Sequence, residues 1–552
     1  MKVENTPGNI DLEVGLCASF VVEPLQDYLH YWTNELEVKL KLNVAPYNQV
    51  FQQLLNKDSL LNKTNGLKIL LIDVADWIRD RDDLTPAEQC VFIKETYDGF
   101  VKAIGYAQST NTHPFLIGLV SSPAAGELTV VTSDCIRETT KELKEFFEKG
   151  SSFYLLDLFQ IASLYEVDEI WDPKSAELGH LPFTQEYYAA LGTYLVRKVL
   201  AYNRPAYKVI ALDCDNTLWK GICGEDGSLN VGIGEGYSDL QDFLLKRHSE
   251  GFLLVLCSKN NENDVWEVFD KHPGMKLKRE HIAAHRINWD PKAGNLMSLA
   301  KELNLGLDSF IFLDDSNFEI EQVSANCPEI YSVTIPEDAS GLKSFIDHIW
   351  AFDIFGVTDE DRQRNSMYKA ERLRNEEKVN FGYLEDFLQS LNIEIHLSSL
   401  DESDFDRALQ LSLRTNQFNL NGIRQSRESI ASAVHSPSAL NWIVEVKDRF
   451  GNYGKVGLLM AHTDNDSLLI DTFLLSCRVL GRNVEDHILA ELQAYCSKHH
   501  LHNLVALYKP TAKNQPFLEF LKRTEWINDP QTDTYSYLLN QTKKTLTVEN
   551  EI

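Results

Sequence analysis

Nowhere in the 552 residues is there an uninterrupted apolar run of roughly the 20 residues that a membrane-spanning helix needs. The opening MKVENTPGNIDLEVG lacks the basic start and apolar core of a secretory leader, so a cytoplasmic protein with no membrane attachment is expected. The nine cysteines include no CxxC pair and no close Cys/His cluster, which argues against a disulfide framework and a structural zinc site. Free thiols follow, and any of them is available for chemistry. Positive charge is scarce too: 53 Lys+Arg against 82 Asp+Glu leave a net charge of −29. Phosphate backbones need a large basic surface, so nucleic acid is not an expected partner. Any anionic ligand would need a local basic patch. No internal repeat is present, and only the tail QTKKTLTVENEI reads as frayed polar chain.

What is present is an ordinary globular composition, 43% hydrophobic and 24% charged, in a chain long enough for two to four domains. Three blocks divide it. Residues 1–200 interleave apolar runs (LEVGLCAS, LKILLIDV, PFLIGLVSS, ELTVVTS) with amphipathic stretches such as TKELKEFFEKG, the rhythm of a parallel sheet covered by helices. This block closes with the helical YAALGTYLVRKVLAY leading to Pro205. Residues 205–350 repeat the rhythm with sharper punctuation. Residues 365–545 carry IEIHLSSL, NWIVEVKD, GKVGLLMAHT and SLLIDTFLLSCRVLG, then the helical NVEDHILAELQAYCSKHH, which reads as an antiparallel meander and helix. The fold class expected is α/β.

The middle block holds the clearest chemistry. Its strand-like runs VIALDCD, FLLVLCSKN and SFIFLDDSN all end in polar residues. In a parallel sheet, sites form outside the carboxyl ends of strands, so Asp213 and Asp215, Ser258 and Lys259, and Asp314 and Asp315 should converge. Lys292 follows a proline at a helix start in NWDPKAGNL. Clustered carboxylates repel and call for a hard cation such as Mg2+. A lysine and a hydroxyl at the rim suit an oxyanion such as phosphate. An aspartate beside a metal and a held phosphate is a nucleophile candidate.

DCDNT, LCSKN, DPKAGN and LDDS together resemble the four motifs of the haloacid dehalogenase (HAD) phosphatase superfamily. That resemblance covers the middle block and implies a Rossmann-like domain with Asp213 as nucleophile and Asp215 as general acid, then base. It implies Thr217, Ser258, Lys259 and Lys292 as phosphate ligands. Asp213, the backbone carbonyl of Asp215, and Asp314 would hold Mg2+, with Asp315 in support. The longer LDCDNTLWKGICGEDG, with SCRVLGRNVE, RTNQFNLN and DRFGNYGKVG, is similar over most of the chain to the FkbH-like proteins. This implies transfer of a glyceryl unit from 1,3-bisphosphoglycerate, a phosphorylated small molecule, to an acyl carrier protein. Two alternatives stay open: a plain HAD phosphatase on another phosphometabolite or phosphoprotein, and an acyl-CoA-dependent N-acyltransferase with a vestigial HAD unit.

Spacing adds to this. Neither the gap from Asp215 to Ser258 nor that from Ser258 to Lys292 is long enough for an inserted cap domain, so an open site is expected. The second gap contains KHPGMKLKREHIAAHR, with five Lys/Arg and three His against one Glu. Lys276, Lys278 and Arg279 are therefore the expected basic patch. Cys223 is the first candidate for an internal acyl-accepting thiol and Cys477 the second, while Cys214 and Cys257 should face the core.

The third block resembles the GNAT acetyltransferase fold. In SCRVLGRNV, Arg478 and Gly481 match the pyrophosphate loop, with Asn483 where a small residue is usual, and Asn514 matches a later motif. These imply a pantetheine or CoA site. The first block resembles a degraded SGNH-hydrolase fold, with Ser19 at the nucleophile position and Asp172 and His180 near that of the Asp–His pair. Docking is the expectation there, ester hydrolysis the alternative.

Overall fold

The computed structural model describes residues 11–539 except 111–112, 122–127, 151, 205, 358, 379–380, 437, 512 and 530–533. Pro205 and the tail from 541 onward thus lie outside the described residues. The α/β expectation is met: two parallel sheets and one mixed sheet, with helices between the strands. No described helix is long and apolar enough to cross a membrane.

The first sheet has the order β2-β1-β3-β4-β5, built from β1 (Asp11–Ala18), β2 (Lys39–Val44), β3 (Leu67–Asp73), β4 (Phe115–Val120) and β5 (Phe153–Leu156). All its pairings are parallel. The central β3 is buried at every position, as a strand covered on both faces must be. One expected strand is a helix instead. In ELTVVTS the apolar pair Val130–Val131 begins the 20-residue helix Val130–Lys149, because Thr129 accepts the backbone N–H of Thr132 and caps it. A capping threonine followed by a 3.6-residue pattern (Cys135, Thr139, Leu143, Phe147 buried) outweighs two β-branched residues.

The second sheet has the order β10-β9-β6-β7-β8, from β6 (Val209–Leu212), β7 (Leu253–Ser258), β8 (Ile282–Ile287), β9 (Phe310–Asp314) and β10 (Tyr331–Thr334). It too is parallel throughout. The chain forms two compact units, and both parallel sheets belong to the first, which ends at Asn365. Residues after β10 link the two sheets. Asp353 takes two hydrogen bonds from Arg197 (2.7 and 2.8 Å) on the last helix of the first sheet. Phe355 lies 4.4 Å from the ring of Tyr154 in β5.

The second unit, from Ser366, contains a mixed sheet ordered β11-β13-β14-β15-β16-β18-β17. Its strands are β11 (Glu394–Ser399), β12 (Phe418–Asn419), β13 (Ala439–Asp448), β14 (Gly451–Asp464), β15 (Ser467–Leu475), β16 (Asn503–Leu507), β17 (Ile527–Asp529) and β18 (Thr534–Leu538). The short β12 pairs with the outer end of β15. Only β15 and β16 run parallel, and only from Ser467 to Ile470. Arg374 and Asp448, a buried bidentate pair (2.7 and 2.8 Å), tie the preceding helix Asp359–Lys378 to the end of β13.

Candidate active site

β6 is the middle strand of its sheet, flanked by β7 and β9, so polar residues at the carboxyl ends of these three strands must meet. Asp213 and Asp314 follow from β6 and β9, and Ser258 ends β7. Lys292 opens the helix Lys292–Leu303 and reaches between them, its Nζ 2.7 Å from Asp213 Oδ1 and 2.6 Å from Asp314 Oδ2. Asp213, Asp314 and Lys292 are all buried. Carboxylate oxygens of Asp213, Asp314 and Asp315 lie within 4.8 Å of one another.

The electrostatics are those of an under-neutralised anion cluster. Burial first, and then the charge of Asp213, pushes the Asp314 carboxyl up to about 7, against the pull of Lys292 and the Ser316 N–H. Asp315 is raised for the same two reasons. Burial opposes the charge of Lys292, but Asp213 and Asp314 hold its ammonium above the ordinary lysine range. Three carboxylates around one ammonium leave negative charge in a desolvated place, and the all-oxygen donor set fits a hard divalent cation such as Mg2+.

Asp215 stands apart from that cluster. The turn carrying it is shaped by Asn216, in the left-handed region at φ 54°, whose Oδ1 accepts the N–H of Gly221. Gly221 itself sits at φ 102°, and a Cβ there would lie 2.6 Å from Asp226 Oδ2. The Asp215 carboxylate accepts from Trp219 Nε1 (2.9 Å), the Cys223 N–H (3.0 Å) and Asn260 Nδ2 (2.7 Å). Trp219 and Asn260 were not singled out from the sequence, although both lie inside motif strings quoted there. Their adjacency to LDCDNT and LCSKN was the available signal.

Other expected residues are placed differently. Lys259 turns to Glu319, 2.6 Å away, rather than to the cluster. Thr217 is fully buried, and its Oγ1 has no hydrogen-bond partner among the described residues. Cys223 is not at an open mouth: it is buried, its Sγ 3.6 Å from Asn260 Oδ1, and burial with the Asp215 charge pushes its thiol up to about 12. A thiol so held stays protonated and is a poor nucleophile. Cys214 and Cys257 are buried as expected, while Cys477 is exposed.

Two of the three residues of the expected basic patch are already paired. Lys276 bonds Asp242 at 2.5 Å, and Arg279 bonds Asp270 through two nitrogens (2.9 and 2.6 Å). Its acidic partners come from outside the basic segment, which is why the string alone looked unneutralised. No cap is inserted between Asp215 and Ser258, where helices Cys223–Asp226 and Glu235–Ser249 are the only ones.

In the second unit the loop around Gly481 (φ 71°) precedes the helix Val484–Lys498, as a phosphate loop would. The residues do not fit a pyrophosphate. Glu485, in the first turn, is buried, one carboxylate oxygen lies 3.7 Å from Arg523 and the other has no hydrogen-bond partner among the described residues, and burial raises it above the ordinary range. A buried acidic side chain therefore stands in the first turn of this helix, where it opposes a second negative group. Arg478 turns to Ser476 (3.2 Å), and Asn483 (φ 62°) makes no side-chain cap. The gap where β15 leaves β16 is also taken: the Leu420 N–H donates to Phe473 O (3.0 Å), and the Lys509 N–H donates to Leu420 O (3.2 Å). Asn514, fully buried, locks this arrangement by donating to Asn419 O and Lys509 O, both at 2.9 Å.

In the first block Asp172 caps the helix Pro173–Gly179 through Ser175 and does not touch His180. Ser19 and His180 meet instead on Asp76, the residue sequence reading missed.

No protein-family model and no curated protein matches the chain. Among solved structures, the N-terminal part of BF1531 from Bacteroides fragilis, which contains a phosphatase domain and was solved with Mg, is 22% identical at a TM-score of 0.52. The match covers 64% of this chain and 96% of that one, and it shows a shared fold. The ribosomal-protein-S18-alanine N-acetyltransferase from Escherichia coli is 14% identical, covering 28% of this chain and 99% of its own at a TM-score of 0.22. PaiA N-acetyltransferase from Thermoplasma acidophilum, solved with coenzyme A, is 10% identical, covering 26% and 99% at 0.22.

Proposed function

We propose that the chain is a Mg2+-dependent phosphatase of the HAD type that dephosphorylates a 1,3-bisphosphoglycerate-like donor and passes its glyceryl unit to the thiol of an acyl carrier protein. The observation that carries the phosphatase half is the buried Asp213–Lys292–Asp314 cluster with Asp315 beside it. Asp213 attacks phosphorus, forming an aspartyl phosphate as the bond to the substrate oxygen breaks. Asp215, oriented by Trp219, Asn260 and the Cys223 N–H, gives the leaving oxygen its proton and later takes one from water. Lys292 is placed to offset phosphoryl charge. Mg2+ bound by Asp213, Asp314 and the backbone carbonyl of Asp215, with Asp315 in support, would neutralise the phosphate and the carboxylates together.

The acyl phosphate at C1 of such a donor is activated for attack by a thiol. Buried, protonated Cys223 is disfavoured as an internal acceptor, and the carrier's own thiol is the acceptor proposed. An uncapped site suits a substrate handed to a large partner. The test is to incubate the protein with Mg2+, bisphosphoglycerate and carrier protein, then follow phosphate release and the intact mass of the carrier. A carrier heavier by one glyceryl unit, lost in Asp213→Asn, is the expected result. Free phosphate with an unmodified carrier would leave the plain phosphatase. Acyl transfer from acyl-CoA that survives Asp213→Asn would establish the N-acyltransferase.

A further inference from the structure

The carboxyl edge of the first sheet also brings together nucleophilic and titratable side chains from distant segments. β2, β1 and β3 are neighbours in the first sheet, and each delivers one residue just past its end: Tyr47, Ser19 and Asp76. His180 comes from the turn after the helix Pro173–Gly179, and its backbone carbonyl accepts the Val21 N–H (3.0 Å) at the exit of β1. The four side chains form one hydrogen-bonded line. Ser19 Oγ donates to Asp76 Oδ2 at 2.5 Å, His180 Nε2 meets Asp76 Oδ1 at 2.6 Å, and Tyr47 Oη meets His180 Nδ1 at 2.5 Å.

The direction of each bond follows from its partners. A carboxylate only accepts, so His180 carries its proton on Nε2, and Nδ1 is left to accept from the Tyr47 hydroxyl. Ser19 is fully engaged, donating to Asp76 while accepting the Asp73 N–H at 3.0 Å. It holds the carboxylate in place and is not the activated hydroxyl. Ser19 and His180 are buried and the Asp76 side chain is 8% exposed, whereas Tyr47 is 47% exposed, so the line ends at solvent on a phenol. Two residues here adopt left-handed backbone, His180 and Asn48, both at φ 54°. Strain of this kind persists where the surroundings impose it, and it clusters at working sites.

A hydroxyl bonded to an imidazole whose other nitrogen sits on a buried carboxylate is the arrangement of general-base-activated nucleophiles. We infer that Tyr47, His180 and Asp76 form a second, acyl-accepting site, separate from the phosphatase centre, whose substrate class is a small activated acyl compound, an ester or thioester. Tyr47 Oη attacks the carbonyl carbon and its proton passes to His180 Nδ1. The bond from carbonyl carbon to leaving group then breaks, and the leaving alkoxide or thiolate takes that proton. The products are O-acyl-Tyr47 and a free alcohol or thiol. Asp76 offsets the imidazolium that forms between the two steps. Arg79, fixed on the Ala176 carbonyl at 2.9 Å, adds a cation near the phenol. Burial, with the charges of Asp76 and Asp80, raises the Tyr47 hydroxyl against the pull of Arg79, so it rests protonated and needs a base.

The full-length protein treated with p-nitrophenyl acetate, followed over time by peptide mass spectrometry, tests this directly. Tyr31 and Tyr383, 55% and 77% exposed, serve as internal references. Acetylation of Tyr47 at least ten times faster than of either reference is the expected result, and equal or slower labelling overturns the inference. In His180→Gln, Tyr47 should fall to the rate of Tyr31; an unchanged rate removes the relay. Should that variant fail to fold by circular dichroism, the wild-type comparison decides alone. Labelling is expected to be the same in Asp213→Asn, so the outcome is independent of the phosphatase reading.

Discussion

Two places in the chain carry sequence marks of anion recognition, and the fold treats them in opposite ways. At the carboxyl edge of the second sheet, Asp213, Asp314 and Asp315 surround a single ammonium and leave negative charge in want of a cation. At the loop before Val484, glycine and a helix start are present, but a buried acidic side chain, Glu485, stands in the first turn and opposes an incoming anion. A motif specifies which groups are near. Whether those groups are free to bind depends on what else the fold buries beside them.

The sharpest way to break this contrast is Asp213→Asn, expected to lower phosphate release by roughly a thousandfold or more, since it removes the attacking oxygen. A phosphate-release assay showing a tenth of native activity would exclude Asp213 as nucleophile. Next is Lys292→Met, which strands two buried carboxylates and should cost about 3–5 kcal/mol in Mg2+-free urea denaturation. Adding Mg2+ should restore more stability to this variant than to the native chain. If it restores none, the cluster is not a cation site. Asn514→Ala removes a buried amide holding two carbonyls and should cost about 1–3 kcal/mol. Hydrogen exchange should then rise at Leu420 and Lys509 and stay unchanged in β13 and β14.

Glu485 supplies a pH signature. Its carboxyl is raised in the fold, so the folded state holds the proton more tightly than the unfolded chain. Stability therefore falls as pH rises from about 4.3, the ordinary glutamate value, through the raised folded value. Glu485→Gln should flatten that decline in thermal unfolding scans, and superimposable native and variant profiles would show that the loop carboxylate is not buried as described. The smallest effect is expected from reversing Lys276, Lys278 and Arg279 to Glu. Lys276 and Arg279 are already paired on an exposed surface, so substrate KM should change less than about threefold. A larger rise would restore the patch as an attracting surface.

Much of the second sheet was legible because hydrophobic runs that end abruptly in Asp or Ser mark strand ends directly: VIALDCD, VLCS and FIFLDD became β6, β7 and β9. Edge strands were not. β2, KLKLNV, alternates polar and apolar residues next to a helix, and β8 lies inside the basic string read only for its charge. Asp76 and Tyr47 gave no local signal, since ADW and APYNQ contain no motif spacing. The Asp172–His180 pair looked plausible in sequence, but a cap needs only a residue three positions before an N–H, and Asp172 meets that local demand first.

By itself, the sequence determined the α/β class, the parallel rhythm of the first two blocks and which carboxylates and lysine would share one edge. Local physics suffices there, because apolar runs bury and their polar ends cannot follow. The tertiary structure alone decided that Lys259 faces Glu319, that Cys223 is shut away, that Glu485 is buried beside Arg523 and that Tyr47, His180, Asp76 and Ser19 form one line. Those outcomes depend on pairings between segments tens of residues apart, which strand order sets and no local pattern encodes.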